Sequence, residues 1–169
     1  YPLPEAQLDR FLMKLTVGYP DRSAELAMLE LPSVAGSSHR EAGPGGPPPL
    51  LGPADVLGLR AQAAAIRVAP AIKEYAVDLV RSTRDPARYG LDLSPLLELG
   101  ASPRATIALV RAAKGHALLS GRDYVTPHDV KSLARDVLRH RIIVSYEADA
   151  EGLGADDILG RILDHLQVP

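Results

Sequence analysis

Cysteine and tryptophan are absent from these 169 residues, and phenylalanine occurs once. Without cysteine there is neither a disulfide framework nor a thiolate metal site, and both absences fit a reducing cytoplasm. With so few aromatics, Leu, Ala and Val must supply the core, which favours packed helices over an aromatic-rich sheet or barrel. The expected fold class is therefore all-α, a helical bundle with a short extended segment at its N-terminal end. No apolar run approaches the roughly 18–20 residues that span a bilayer, and no charged-then-apolar leader precedes a cleavage site, so a soluble, cytoplasmic chain with no membrane partner is expected. Zinc-type pairing on one face is missing among His39, His116, His128, His140 and His165, so no metal site is expected. Ser102, Ser120 and Ser145 lack the surroundings of a nucleophile elbow.

What is present is a hydrophobic content of 46% over a length suited to one domain, or one domain with an appendage. The formal net charge of −2 argues against bulk attraction to nucleic acid, but the charges are unevenly placed. Eight Lys or Arg lie between Arg104 and Arg141 against three Asp, whereas six acids lie from Glu147 to Pro169 against Arg161 alone. A basic bundle thus carries an acidic tail. Either the two match each other as a solvated surface, or the basic part faces an external anion.

The opening stretch, Tyr1 to Lys14, reads as the tail of a longer catalytic domain, starting without Met and carrying an Arg between Asp9 and Phe11. Leu15 to Val17 suits a short strand running to the Gly18-Tyr-Pro20 turn. Asp21 is a good N-cap for a helix whose apolar positions run through Ala24, Leu26, Ala27, Leu29 and Leu31 until Pro32 stops it. Ten of the eighteen residues from 36 to 53 are Gly or Pro, which predicts a loop. Helical spacing returns from Pro53 to Val68, and Pro70 opens a helix with a stripe of Ile72, Tyr75, Ala76, Leu79 and Val80. A short helical turn is expected at Ser94 to Leu99. Ser102 and Pro103 mark the start of a helix to about Leu119, and Thr126 and Pro127 the start of another carrying Val130, Leu133, Ala134, Val137 and Leu138 toward Arg139. An extended Ile142 to Val144 and a closing helix from about Asp156 to Leu166 complete the chain.

Arg104 is physically out of place. A helix start carries outward amide protons and partial positive charge, so a cation there is disfavoured by a few tenths to about 1 kcal/mol. Either a negative group compensates, or Arg104 is an ordinary exposed side chain that turns away into water. Arg111 lies two turns along the same face and Lys114 one turn further, so a basic strip begins at an anion-ready terminus.

Four blocks in order, Tyr1-Pro-Leu-Pro-Glu-Ala-Gln-Leu-Asp-Arg-Phe, Gly18-Tyr-Pro, Gly100-Ala-Ser-Pro-Arg-Ala and Arg122-Asp-Tyr-Val-Thr-Pro-His-Asp-Val, resemble the C-terminal part of MoxR-family AAA+ ATPases. The resemblance implies the end of a nucleotide-binding core over residues 1–20, with the arginine-finger segment, and a helical lid over 21–169 with the Gly/Pro-rich loop at 36–53. By position, Arg10 in Leu-Asp-Arg-Phe corresponds to the arginine finger, which reaches the γ-phosphate of a neighbouring subunit; the rival reading is a surface pair with Asp9. Arg104 corresponds to sensor 2, serving its own subunit's nucleotide or a neighbour's, and Arg111 is a further candidate for nucleotide binding. Trans fingers are worth roughly 10³–10⁵ in rate in other phosphoryl-transfer systems.

The departures matter as well. Gly-x-x-x-x-Gly-Lys-Ser/Thr does not occur, nor does a strand ending in paired acids before Arg10, so this chain alone is expected to bind no nucleotide and hydrolyse no ATP. In the full-length parent the resemblance implies ATP and Mg²⁺, a hexameric homo-oligomer, a von Willebrand factor A domain partner, and chaperone-like remodelling or metal-cofactor maturation of client complexes. The alternative is a histone-fold-like module binding DNA or protein, since Tyr124-Val-Thr-Pro-His-Asp-Val before a basic amphipathic helix also suits that fold. Too few aromatics interleave the basic residues for single-strand stacking.

Overall fold

The computed structural model describes residues 4–30 and 50–169. They fall into two compact units, one of the residues up to Leu15 together with Gly58–Pro169, the other the described part of Thr16–Leu57. The boundary lies inside a helix.

In the smaller unit, α2 (Arg22–Leu29) starts as expected: the Asp21 carboxylate accepts from the Ala24 amide at 2.8 Å and the Ser23 hydroxyl at 2.6 Å. These bonds, the Ser23 hydroxyl foremost, hold the Asp21 carboxyl below its ordinary range. The apolar positions of α2 are not a core face, because Leu26, Met28 and Leu29 are all exposed. An apolar stripe is buried only where a facing element covers it, and no described residue does so here. The short strand expected at Leu15 to Val17 is likewise not formed, and Val17 is 94% exposed. The Leu31 and Pro32 helix stop lies outside the described residues, as does the Gly/Pro-rich loop except for its last four positions, which lead into α3 (Pro53–Ala65). No residue of α3 is buried.

The larger unit is a helical bundle. After α1 (Glu5–Leu8) and the end of α3 come α4 (Pro70–Ser82), two 3₁₀ turns at Pro86–Tyr89 and Ser94–Leu96, β1 (Leu97–Leu99), α5 (Pro103–Leu119), α6 (Pro127–Leu138), β2 (Ile143–Val144), α7 (Tyr146–Ala150) and α8 (Ala155–His165). The α4 stripe is buried as its spacing predicts, with Ile72, Tyr75, Ala76, Leu79 and Val80 inside. α5 meets α4 and α6 through a face of Ala105, Ala108, Leu109, Ala112, Ala113 and Ala117, whose small side chains let the neighbours approach closely. α6 contributes Val130, Ala134, Val137 and Leu138, and α8 adds Ile158, Leu159, Ile162 and Leu163. Each large aliphatic side chain fully withdrawn from water contributes about 2 kcal/mol before entropy is counted.

Two small elements differ from expectation. Leu97–Leu99 leaves the predicted helical turn and pairs antiparallel with β2, Leu97 opposite Val144 and Leu99 opposite Ile143. A partner strand more than forty residues away decides this, beyond the reach of local spacing. The short helix α7, capped by Ser145 accepting from the Ala148 amide at 3.2 Å, was not expected at all.

Asp129 locks α5 to α6. The last turn of α5 closes on Gly121 at φ +70°, with the Gly121 amide donating to the Leu118 carbonyl and the Arg122 amide to Ala117. That reversal brings Arg122 back onto α6, where its guanidinium donates to both carboxylate oxygens of Asp129 at 2.7 and 2.6 Å. His116 of α5 lies 2.6 Å from the same carboxylate, and Thr126 bonds it through both amide and hydroxyl, completing a capping box. Burial alone would push the Asp129 carboxyl up; the bonds from Arg122, Thr126 and His116 outweigh it and hold the group far below the usual carboxylate range.

The acid tail finds its basic counterpart within the fold. Arg139 reaches Asp156 at 3.1 Å and Lys131 approaches Asp164 at 3.9 Å, so α6 and α8 carry the charge match read from the sequence.

Two outcomes follow for stability. Asp129→Asn should cost about 3 kcal/mol in chemical denaturation, because it leaves Arg122 without its anion in a largely dry site. A carboxyl whose folded pKa is depressed stabilises fully above its unfolded value near 3.9 and loses that contribution as pH falls further, so wild-type stability should drop below about pH 4 and the Asn variant should show a shallower acid slope.

Candidate functional site

The start of α5 is built by five consecutive residues. A Cβ at Gly100 would overlap the Thr83 carbonyl at the end of α4, so only glycine permits this backbone approach. Ala101, fully buried, donates its amide to the Thr83 hydroxyl at 2.9 Å. Ser102 caps the helix, its oxygen accepting from the Arg104 amide at 3.2 Å, and Pro103 occupies the first turn, where its missing N–H costs nothing. Arg104 is thereby placed at the helix terminus with its side chain 62% exposed.

The N-terminal segment is bound across this terminus. Asp9, which closes α1, points one carboxylate oxygen at the Ser102 hydroxyl, 2.9 Å away, and the same oxygen lies 3.8 Å from Arg104. Here is an anion compensating the cation at the helix start, a group that sequence spacing did not suggest. Arg10 follows in the tight turn that leaves α1, the Arg10 amide donating to Gln7 and the Phe11 amide to Leu8. The pairing of Arg10 with Asp9 does not form. Asp9 is occupied by Arg141, whose Nε donates to its other oxygen at 3.0 Å.

Arg141 is the residue that sequence reasoning passed over. Its side chain is 2% exposed, and besides Asp9 it donates to the backbone carbonyls of Asp9, Phe11, Leu12 and Val137. Burial lowers its pKa and the Asp9 carboxylate opposes that, yet a guanidinium stays charged in any protein site. The two preceding residues hold the same segment. His140 Nε2 lies 3.2 Å from the Phe11 carbonyl, Arg139 donates to the Lys14 carbonyl at 3.4 Å, and the Lys14 amide donates to Asp136 at 2.8 Å. Burial pushes the His140 imidazole below its ordinary range against the pull of the Phe11 carbonyl, which suits a neutral ring donating through Nε2. The signal for this grip was the Arg139-His140-Arg141 run just past a helix end, read from sequence only as surface charge.

Arg10, Arg104 and Arg111 all line one cavity of about 360 Å³, together with Asp9, Leu12, Ile107, Ala108 and Arg141. All three predicted arginines therefore meet at one place. Lys114, expected to continue the basic strip, does not join them; its ammonium donates to the Ala64 carbonyl at 2.7 Å and so closes the end of α3. Among the described residues the side chains of Arg10 and Arg111 make no hydrogen bond or ion pair, so two guanidinium forks stand open beside a helix N-terminus. Planar forks of this kind suit the bidentate geometry of phosphate oxygens. The cavity does not suit a metal ion: its one acid, Asp9, is already held by Ser102 and Arg141, and four arginines repel a cation. No group of three or more His, Asp or Glu able to hold a metal occurs among the described residues.

Comparison with known proteins places these features in a family. Residues 92–162 match the AAA lid domain family. The chain is 38% identical over its whole length to Chaperone MoxR1 of Mycobacterium tuberculosis, covering 43% of that protein, and 40% identical over its whole length to the uncharacterized protein YeaC of Bacillus subtilis, covering 48%. A crystal structure of a supposed ATPase from Cytophaga hutchinsonii superposes on all of the chain and 50% of its own with a TM-score of 0.85 and 38% identity. The chain thus spans about half the length of the curated relatives it matches. With an AAA lid matched over residues 92–162 and 38% identity to MoxR1 along its whole length, this chain corresponds to the lid-bearing part of MoxR-type AAA+ proteins.

Proposed function

We propose that the chain supplies the arginine-finger segment and the helical lid of a MoxR-type AAA+ ATPase, with residues 1–20 closing the nucleotide-binding core and residues 21–169 forming the lid. What supports this most is a single observation: Arg10, Arg104 and Arg111 line one cavity at the start of α5. In this reading the cavity receives the phosphates of ATP. Arg104 and the α5 terminus meet them from the lid, and Arg10 offsets charge developing on a γ-phosphate held by a neighbouring subunit of a ring, a hexamer in this reading. The Mg²⁺ that accompanies ATP needs carboxylate ligands, which this cavity does not offer.

Phosphate at the α5 terminus would favour the arrangement in which Arg104 is drawn toward it, since a charge-assisted bond at a helix start is strong. ATP binding and hydrolysis would thereby be coupled to lid position by a difference in affinity between two arrangements. The output is chaperone-like work on client complexes in the cytoplasm, including metal-cofactor maturation beside a von Willebrand factor A domain partner. The name of the M. tuberculosis relative, a chaperone, agrees with such an output.

A histone-like DNA-binding module finds little support in the same geometry. Arg122 is spent on Asp129, Lys131 lies toward Asp164, and Arg139 and Arg141 hold carboxylates and carbonyls within the fold.

In the intact protein, Arg10→Ala should lower ATP turnover by about 10³-fold or more. Arg104→Ala should lower it by about 10- to 100-fold, the worth of one charge-assisted bond. Both side chains are exposed, so circular dichroism and thermal midpoint should stay unchanged. Wild-type turnover in both variants would refute the assignment.

A further inference from the structure

We propose that Arg141 is the positioning residue for Arg10, gripping the backbone on both sides of it so that its guanidinium is held at the start of α5 in a fixed relation to Arg104. The inference rests on reading Arg10 and Arg104 as phosphate-facing groups.

In the N-terminal segment Arg141 holds the carbonyls of Asp9, Phe11 and Leu12, and Arg10 lies between the first two. A guanidinium has five N–H donors in a rigid plane. Here Nε takes the Asp9 carboxylate at 3.0 Å, one terminal nitrogen serves the carbonyls of Asp9 and Phe11, and the other serves Leu12 and Val137. The segment is thus clamped to the end of α6 by a group that is itself almost wholly buried. The Arg10 side chain lies outside the grip and lines the cavity.

The clamp also reaches the other arginine. The second oxygen of Asp9 accepts from Ser102, which caps α5 through the amide of Arg104. Arg141, Asp9, Ser102 and Arg104 form one continuous set of bonds, so the turn that presents Arg10 and the helix start that presents Arg104 cannot shift independently. Misplacing a charge-stabilising group by about 1 Å costs on the order of 10²-fold in rate, which is the scale available to a positioning residue. Lysine cannot substitute: a point charge on a flexible stem cannot hold a carboxylate and four carbonyls in one plane.

The test is a double-mutant cycle in the intact protein, read as steady-state kcat and KM for ATP. Arg141→Lys should lower kcat by about tenfold or more with KM for ATP within about threefold, because the residue acts through Arg10 and not on nucleotide affinity. In an Arg10→Ala background the same substitution should cost clearly less than it does alone, about threefold or less, since of the two guanidinium groups tied to the clamp only Arg104 remains to be placed. A merely structural role would give losses that multiply in the double variant, and that result, or an unchanged kcat in Arg141→Lys, overturns the inference. Should Arg141→Lys not fold, Asp9→Asn removes the charge of the clamp while keeping its shape, and the same cycle with Arg10→Ala decides in the same way. Wild-type turnover in Arg10→Ala and Arg104→Ala together would instead sink the phosphate reading beneath it.

Discussion

A guanidinium taken out of water must be paired, and the larger unit is organised around that requirement at Arg141. Removing one partner of a buried pair typically costs 3–5 kcal/mol, because the other charge is left in a dry site. Arg141 meets the condition with Asp9 and with carbonyls of the segment just beyond it, so a short N-terminal stretch with few apolar contacts of its own is bound to the bundle by polar bonds. Asp9 in turn reaches Ser102, and through Ser102 the start of α5. The site's geometry depends on this one pair more than on any hydrophobic contact near it.

The bundle behind the site is held by different physics. Small residues on α5 let α4 and α6 close in, and a second buried charge, Asp129, ties the α5–α6 reversal through Arg122, His116 and Thr126. Gly100 allows the backbone entering α5 to touch the end of α4. An anion-receiving terminus is useful only if it does not drift. Here the helix start is braced from behind by α4, and from the front by the Asp9 carboxylate. Arg10 and Arg111 stay open at the cavity, while Arg122, Arg139 and Arg141 are held by partners within the fold. For a MoxR-family AAA+ lid, that division separates charge that holds the fold from charge available to a ligand.

Much of this was legible in the residues. Ser102-Pro103 and Thr126-Pro127 announce helix starts through their own side-chain chemistry, and the α4 stripe predicts its buried face by spacing alone. Arg104 stood out because a cation at a helix start is disfavoured whatever surrounds it. The misses share one cause. β1 forms because β2 lies beside it, Lys114 turns to the Ala64 carbonyl because α3 ends there, and the apolar residues of α2 stay exposed because no described element covers them. Each outcome is set by a neighbour distant in sequence.

The sequence by itself determined the helical class, the caps, the periodic core faces and Arg104 with Arg111 as candidates, because each depends on bonds or spacings within a few residues; Arg10 was a candidate through the family resemblance alone. Tertiary structure alone decided that Arg10 and Arg104 face one cavity, and that Asp9 belongs to Arg141 and Ser102, not to its neighbour Arg10. Asp9 and Arg141 lie 132 positions apart, and only closure of the bundle brings so distant a pair within 3.0 Å. Local propensity carries no term for such a pairing; the cost of burying an unpaired charge does.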